Sequence, residues 1–204
     1  MTSCCEKKSC ATEQMASDQK KVLIAVLIIN AVMFVVELTG GLVAGSLSLT
    51  GDSLDMLGDA AVYAGSLYVV GRGTRAKAKS AVFKAWIILG SAAFVCAAAV
   101  YRFFFAVVPE HSIMSWVGLA ALAANLICLA LLTRHRNDDV NMSSVWLCSR
   151  NDIISNTSVL AAAGLVWLLA SRWPDLIVGL GLTVLFTISA LQIFRDSRLA
   201  VAAE

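Results

Sequence analysis

The stretch "GDSLDMLGDA", Gly51 to Ala60, sets three aspartates inside residues 48–71, a run otherwise apolar enough to cross a bilayer. A transmembrane helix needs roughly 20 consecutive apolar residues. Carboxylates at that depth are costly, rare and generally functional. On a helix, positions i, i+3 and i+7 share one face. Asp52, Asp55 and Asp59 have that spacing. They form one acidic stripe about 10 Å long at a rise of about 1.5 Å per residue. An interfacial charge near the start of the span explains Asp52; it does not explain Asp55 and Asp59.

The rest of the chain has the composition that such a helix requires. Of 204 residues, 59% are hydrophobic and 15% charged, with a mean hydropathy of +0.79. That lies outside the range of ordinary soluble domains. Apolar stretches run over approximately 21–45, 48–71, 81–106, 113–133, 143–170 and 174–194. The expected fold class is therefore an all-α membrane protein of six transmembrane helices. Residues 1–20 read as a polar, cysteine-containing tail, 21–194 as the six-helix transmembrane domain and 195–204 as a short tail. The alternating ten-residue strands of a β-barrel are absent, and the six cysteines have no disulfide-framework spacing. Between the first two spans "GGLVAGSLSLTG" predicts a tight hairpin, and Pro174 suits the first turn of the sixth helix.

Charge gives an orientation. With six spans, the tail, the loops at 72–80 and 134–142 and the C-terminus share one side. Those segments and the adjoining helix ends hold thirteen Lys and Arg, whereas the opposite side holds only Arg102 and Arg172. The positive-inside rule then predicts cytoplasmic termini.

A second constellation lies on the fifth span, in "WLCSRNDIISNTS", residues 146–158. Cys148 and Asp152 are four apart and point the same way. Together with Asp55 and Asp59 they can complete a four-ligand site for a tetrahedral divalent ion such as zinc or cadmium. A buried cysteine alone is usually a small apolar filler, which is the reading for Cys96 and Cys128.

The stretches "VELTGGLVAGSLSLTGDSLDMLGDA", "LAANLICLALL" with Asn125, and "WPDLIVGLGLTVLFTISALQIFRDS", with the fifth-span pair, resemble the cation diffusion facilitators. The resemblance covers essentially everything after residue 20. It implies six helices with cytoplasmic termini, a homodimer, and exchange of cytosolic divalent metal for protons. It places the metal ligands at Asp55 and Asp59 on the second span and at Cys148 and Asp152 on the fifth. Two features depart from the family pattern. A cysteine stands where His or Asn usually opens the fifth-span pair, which leans towards softer ions. The cytoplasmic domain that commonly follows the sixth span is not in the sequence, so any dimer contact is expected from the helices.

Proton coupling follows from the ligands. Carboxylate and thiol groups lose a proton to bind metal, so binding releases protons. Reprotonation from an acidic outer side then expels the ion, in an alternating-access cycle around the site.

Other residues carry open alternatives. Arg150 lies about 200° around the helix from the metal face, so it is expected either to pair with Glu37 on the first span or to snorkel to the interface. Asp52, Glu37, Arg150, Asn125 and Asn151 are the candidates for the ion pathway or for supporting the site. Cys4, Cys5 and Cys10 either collect soft metal near the entrance or belong to a disordered, reduced tail.

The expected function is efflux of a divalent transition metal, zinc or cadmium foremost, by metal/proton antiport. Export of cobalt, nickel, iron or manganese is a variant of it. A metal sensor, or a membrane enzyme using Asp55, Asp59 and Cys148, is the rival. An enzyme would need a base, a nucleophile and an oxyanion device in register; no paired His and no phosphate-binding loop occur. No cofactor and no nucleic-acid partner are expected. The partners are the metal ion, protons, the lipid bilayer and a second copy of the chain, in a bacterial cytoplasmic (inner) membrane.

Overall fold

A computed structural model describes residues 3–69, 74–105, 108–137 and 140–202. Within them, the side chains of residues 3–16, 68–81 and 192–202 and of some other helix positions, Cys148 and Asn151 among these, lie outside the description. Six helices follow in order: α1 (Ser3–Ala44), α2 (Leu47–Val69), α3 (Thr74–Phe105), α4 (His111–Thr133), α5 (Val140–Leu169) and α6 (Trp173–Ala202).

The helices bury polar residues alongside an apolar core and turn large apolar side chains outward. The buried face of α1 runs through Leu23, Val26, Asn30, Met33, Glu37 and Ala44. That of α4 runs through Met114, Gly118, Ala121, Asn125, Cys128 and Leu132. Both have the three- and four-residue steps of a single helix face. Outward-facing side chains include Ile28, Val32, Phe94, Trp116, Ile127, Leu168 and Leu185, all exposed. This pattern suits lipid, which solvates apolar side chains and leaves polar ones to the bundle interior.

α2 is the interior helix. It packs against α1, α3, α5 and α6. Among its described residues no large hydrophobic side chain is exposed, in contrast to all five other helices. Three helices contain windows long and apolar enough to span a membrane, at Ser17–Ala44, His111–Thr133 and Asp152–Leu169, and shorter apolar helices run over Leu89–Phe105 and Trp173–Leu185. α2 is not among them because it carries the three aspartates. Neighbouring helices cover it, so its carboxylates do not meet lipid.

One end of the bundle is tied together by polar contacts. Gly45 joins α1 to α2 at φ +64°, a left-handed conformation open to glycine. Ser46 caps α2, its Oγ accepting from Leu49 N at 3.1 Å. Asp175, in the first turn of α6, accepts from Leu47 N at 2.6 Å and Ser48 N at 3.0 Å, and from the hydroxyls of Ser46 and Ser48 at 2.6 and 2.7 Å. One side chain of α6 thereby satisfies the first amide groups of α2, which have no partner within their own helix. Arg102 of α3 donates to Gly45 O at 2.6 Å and stands 4.0 Å from Asp175. Close packing supports the same junction. A Cβ on Gly179 would lie 2.8 Å from Leu47 Cγ, and one on Gly41 2.8 Å from the Thr50 amide nitrogen.

The hairpin and the start of α6 agree with the sequence reading. The helix ends differ. α1 reaches back to Ser3, α3 starts at Thr74 inside the expected 72–80 loop, and α6 runs on to Ala202. Those extensions are rich in Ala, Lys, Glu, Gln and Arg, which are strong helix formers, so the helices continue beyond their apolar spans.

Candidate metal centre

The acidic stripe of α2 faces the interior as its spacing requires. Asp52 is 1% exposed and Asp59 6%, while Asp55 is half-buried. Tyr63, one turn beyond Asp59, is fully buried and its hydroxyl lies 3.4 Å from Asp59 Oδ2. On α5, Ser149, Asp152, Ser155 and Asn156 are all buried. Asn156 donates to the Asp152 carbonyl at 2.9 Å. α2 and α5 are in contact, and Ser155 Oγ donates to Asp52 Oδ1 at 2.6 Å across the interface. Carboxylates from facing helices are thus turned into the same interior.

Among the described residues, no three His, Cys, Asp or Glu side chains stand close enough together to hold one ion. The side chain of Cys148, expected as the fourth ligand, lies outside the described residues, as do those of Asn151, Cys4, Cys5 and Cys10.

Two groups of α4 lie buried in the same interior, Cys128, expected only as a filler, and Asn125, a candidate for supporting the site. Cys128 of α4 is fully buried. It packs in an apolar cluster with Tyr63 and Leu132, as its reading as a filler requires. Its sulfur also accepts from Asn30 Nδ2 at 3.8 Å and is within electrostatic reach of Asp59. Asn125, one turn earlier on α4, is 1% exposed with its Nδ2 lacking a hydrogen-bond partner. No spacing rule links Cys128 to the acids of α2; that proximity comes from the packing of helices.

Glu37 and Arg150 do not pair. Glu37 is fully buried, and neither carboxylate oxygen has a hydrogen-bond partner. The charges that act on it are those of Asp52 and Asp55. Arg150 is exposed, with its guanidinium 5.6 Å from the centre of the Trp146 ring. The indole one turn back on the same helix provides a cation–π partner, and Glu37 faces the opposite way into the bundle. Of the two readings of Arg150, the structure favours the arginine at the surface over the pair with Glu37.

An apolar crevice between α3 and α6, lined by Cys96, Phe103, Phe104, Trp173 and Ile177, contains no acidic group. It is separate from this chemistry.

The model of the cation efflux transmembrane domain covers residues 23–200. The chain belongs to the cation efflux family. That makes it a multi-pass protein of the inner membrane, built on the cation diffusion facilitator transmembrane domain. Its similarity to individual members is moderate. It is 29% identical over 197 residues to the zinc transporter ZitB of Pectobacterium atrosepticum, covering 89% of this chain and 61% of that protein. Against ZitB of Yersinia pestis the values are 28% over 200 residues, 89% and 62%. It is 25% identical over 173 residues to the metal cation efflux system protein CzcD of Cupriavidus metallidurans, covering 78% and 55%. The chain thus spans about three-fifths of the length of the efflux proteins it matches.

Proposed function

We propose that this protein exports a divalent transition metal, zinc or cadmium, in exchange for protons, with Asp55, Asp59, Cys148 and Asp152 as ligands. The observation that carries the proposal is the burial of Asp59 and Asp152 on two adjoining helices. A buried carboxylate is expensive unless paired, protonated or bound to metal. Such a group suits a cycle in which proton and metal replace each other. The relatives named for zinc transport and metal cation efflux point to the same cargo class.

The bundle gives each helix a part in the mechanism. α2 presents Asp55 and Asp59, and its other neighbours keep it from lipid. In this reading Asp152 of α5 and Cys148, four residues before it in the sequence, supply the other two ligands. Metal entering from the cytoplasm displaces protons from these groups. Opening to the outside restores the protons and releases the ion. The thiolate favours softer ions, while three carboxylates keep affinity moderate and release feasible. A second copy of the chain, docked through transmembrane helices, completes the proposed assembly.

The test is flux in reconstituted vesicles. A pH gradient should drive zinc or cadmium movement, and a protonophore should stop it. Binding without flux would favour a sensor. Neither binding nor flux would remove the metal site itself.

A further inference from the structure

The carboxylates of this interior are not satisfied equally. Asp175 is 1% exposed and has four hydrogen bonds. It shows what a structural buried acid looks like in this fold. Glu37 is equally buried and has none at either oxygen. Asp52 has Ser155 on Oδ1, while its Oδ2 has no partner. Buried polar groups are nearly always hydrogen-bonded, and each exception calls for a cause. The charges acting on Glu37 are carboxylates, Asp52 and Asp55. Among the described arginines, Arg102 stands beside Asp175 and Arg150 over Trp146.

Depth separates this group from Asp59, the deeper of the two proposed ligands on α2. α2 starts at Leu47. At a rise of about 1.5 Å per residue, Asp52 lies about 8 Å from that end, Asp55 about 12 Å and Asp59 about 18 Å. Glu37 is seven residues before the end of α1 at Ala44, hence about 10 Å from the same hairpin. Glu37 therefore sits level with Asp52 and Asp55, on the hairpin side of Asp59.

We infer that Glu37 and Asp52, with the Ser155 hydroxyl, form a second cation station between Asp59 and the α1–α2 hairpin. The station takes a divalent ion in transit; its role in export rests on the proposed function, but its capacity to bind does not. Its donors are two carboxylates and a hydroxyl, with no sulfur and no imidazole. Oxygen sets of this kind suit hard ions that keep part of their water. Among the described residues no three acidic, thiol or imidazole groups converge here, so the ion is held loosely, as passage requires. Three helices contribute, so the station also joins α1 to the α2–α5 interface.

Manganese is the probe, because it is hard and the EPR signal of the free aqueous ion reports binding directly. The purified full chain is titrated with Mn2+ and, separately, with Zn2+. The inference expects Mn2+ binding by the unaltered protein. Glu37→Gln and Asp52→Asn should each weaken it by about 10-fold or more while Zn2+ binding persists, which also reports that these isosteric variants fold. Asp59→Asn should do the reverse, losing Zn2+ and keeping Mn2+. Unchanged Mn2+ binding in both Glu37→Gln and Asp52→Asn overturns the station, as does absence of Mn2+ binding in the unaltered protein. Loss of both metals in either of those variants means one shared site and also overturns it. Unchanged Zn2+ binding in Asp59→Asn counts against the proposed metal centre instead, so the two failures are distinguishable.

Discussion

Ser155 of α5 donates a 2.6 Å hydrogen bond to Asp52 of α2, and both side chains are buried. The bond links the two helices that carry the proposed ligands. Removing the hydroxyl leaves Asp52 with no hydrogen bond at all, because its other oxygen already has none. Ser155→Ala should therefore lower stability by about 1–3 kcal/mol, read as the midpoint of thermal unfolding in detergent. Ser155→Thr keeps the donor and should recover most of the loss. Equal midpoints for Ala and Thr would show that the bond does not matter.

The Asp175 junction gives a larger expected effect. Asp175→Ala strands two amide groups and two hydroxyls at the start of α2, and removes the partner of Arg102. Loss of a helix cap alone costs about 0.5–2 kcal/mol, and the other contacts add to it. Asp175→Asn retains an acceptor and should be milder. The comparison is again thermal unfolding, with the order wild type, Asn, Ala. A different order would remove this side chain as the anchor of α2.

Glycine positions separate packing from propensity. Gly179→Ala and Gly41→Ala place a methyl 2.8 Å from atoms of Leu47 and Thr50, whereas Gly164→Ala meets nothing within 4 Å. Overpacking costs about 1–3 kcal/mol, so the first two should destabilise. Gly164→Ala should be neutral or stabilise by up to about 1 kcal/mol through helix propensity. A parallel set of melting curves decides it; destabilisation of all three alike would contradict the close approach of α2 to α1 and α6.

Cys148 sets the expected metal preference. Cys148→His replaces a soft donor by a borderline one, so the ranking of cadmium over zinc in a competition titration should fall. An unchanged ranking would mean that the thiol is not a ligand.

The sequence made the bundle and the acidic stripe legible because both rest on local spacing. Three- and four-residue steps put Asp52, Asp55 and Asp59 on one face, and the structure buries that face. Other features depend on helices far apart in the chain. Asp175 reads locally as an acid in the first turn of its own helix; its partners are more than 120 residues away. Cys128 reads as a filler, and its proximity to Asp59 arises from packing of α4. For Arg150 the sequence leaves a pair with Glu37 and a surface position both open, and the burial of Glu37 without it, with Trp146 one turn back, decides for the surface. The helix ends were misjudged because apolar length marks the membrane span, whereas propensity sets where the helix stops.

The central claim is that metal and protons exchange at carboxylates shared by α2 and α5. The most direct measurement records metal and proton movement together in vesicles containing wild type or Asp59→Asn. The account predicts metal flux in wild type with protons moving the opposite way, growing with the pH gradient, and neither flux in Asp59→Asn. Metal flux that persists in Asp59→Asn, or that proceeds in wild type without proton movement, would contradict it.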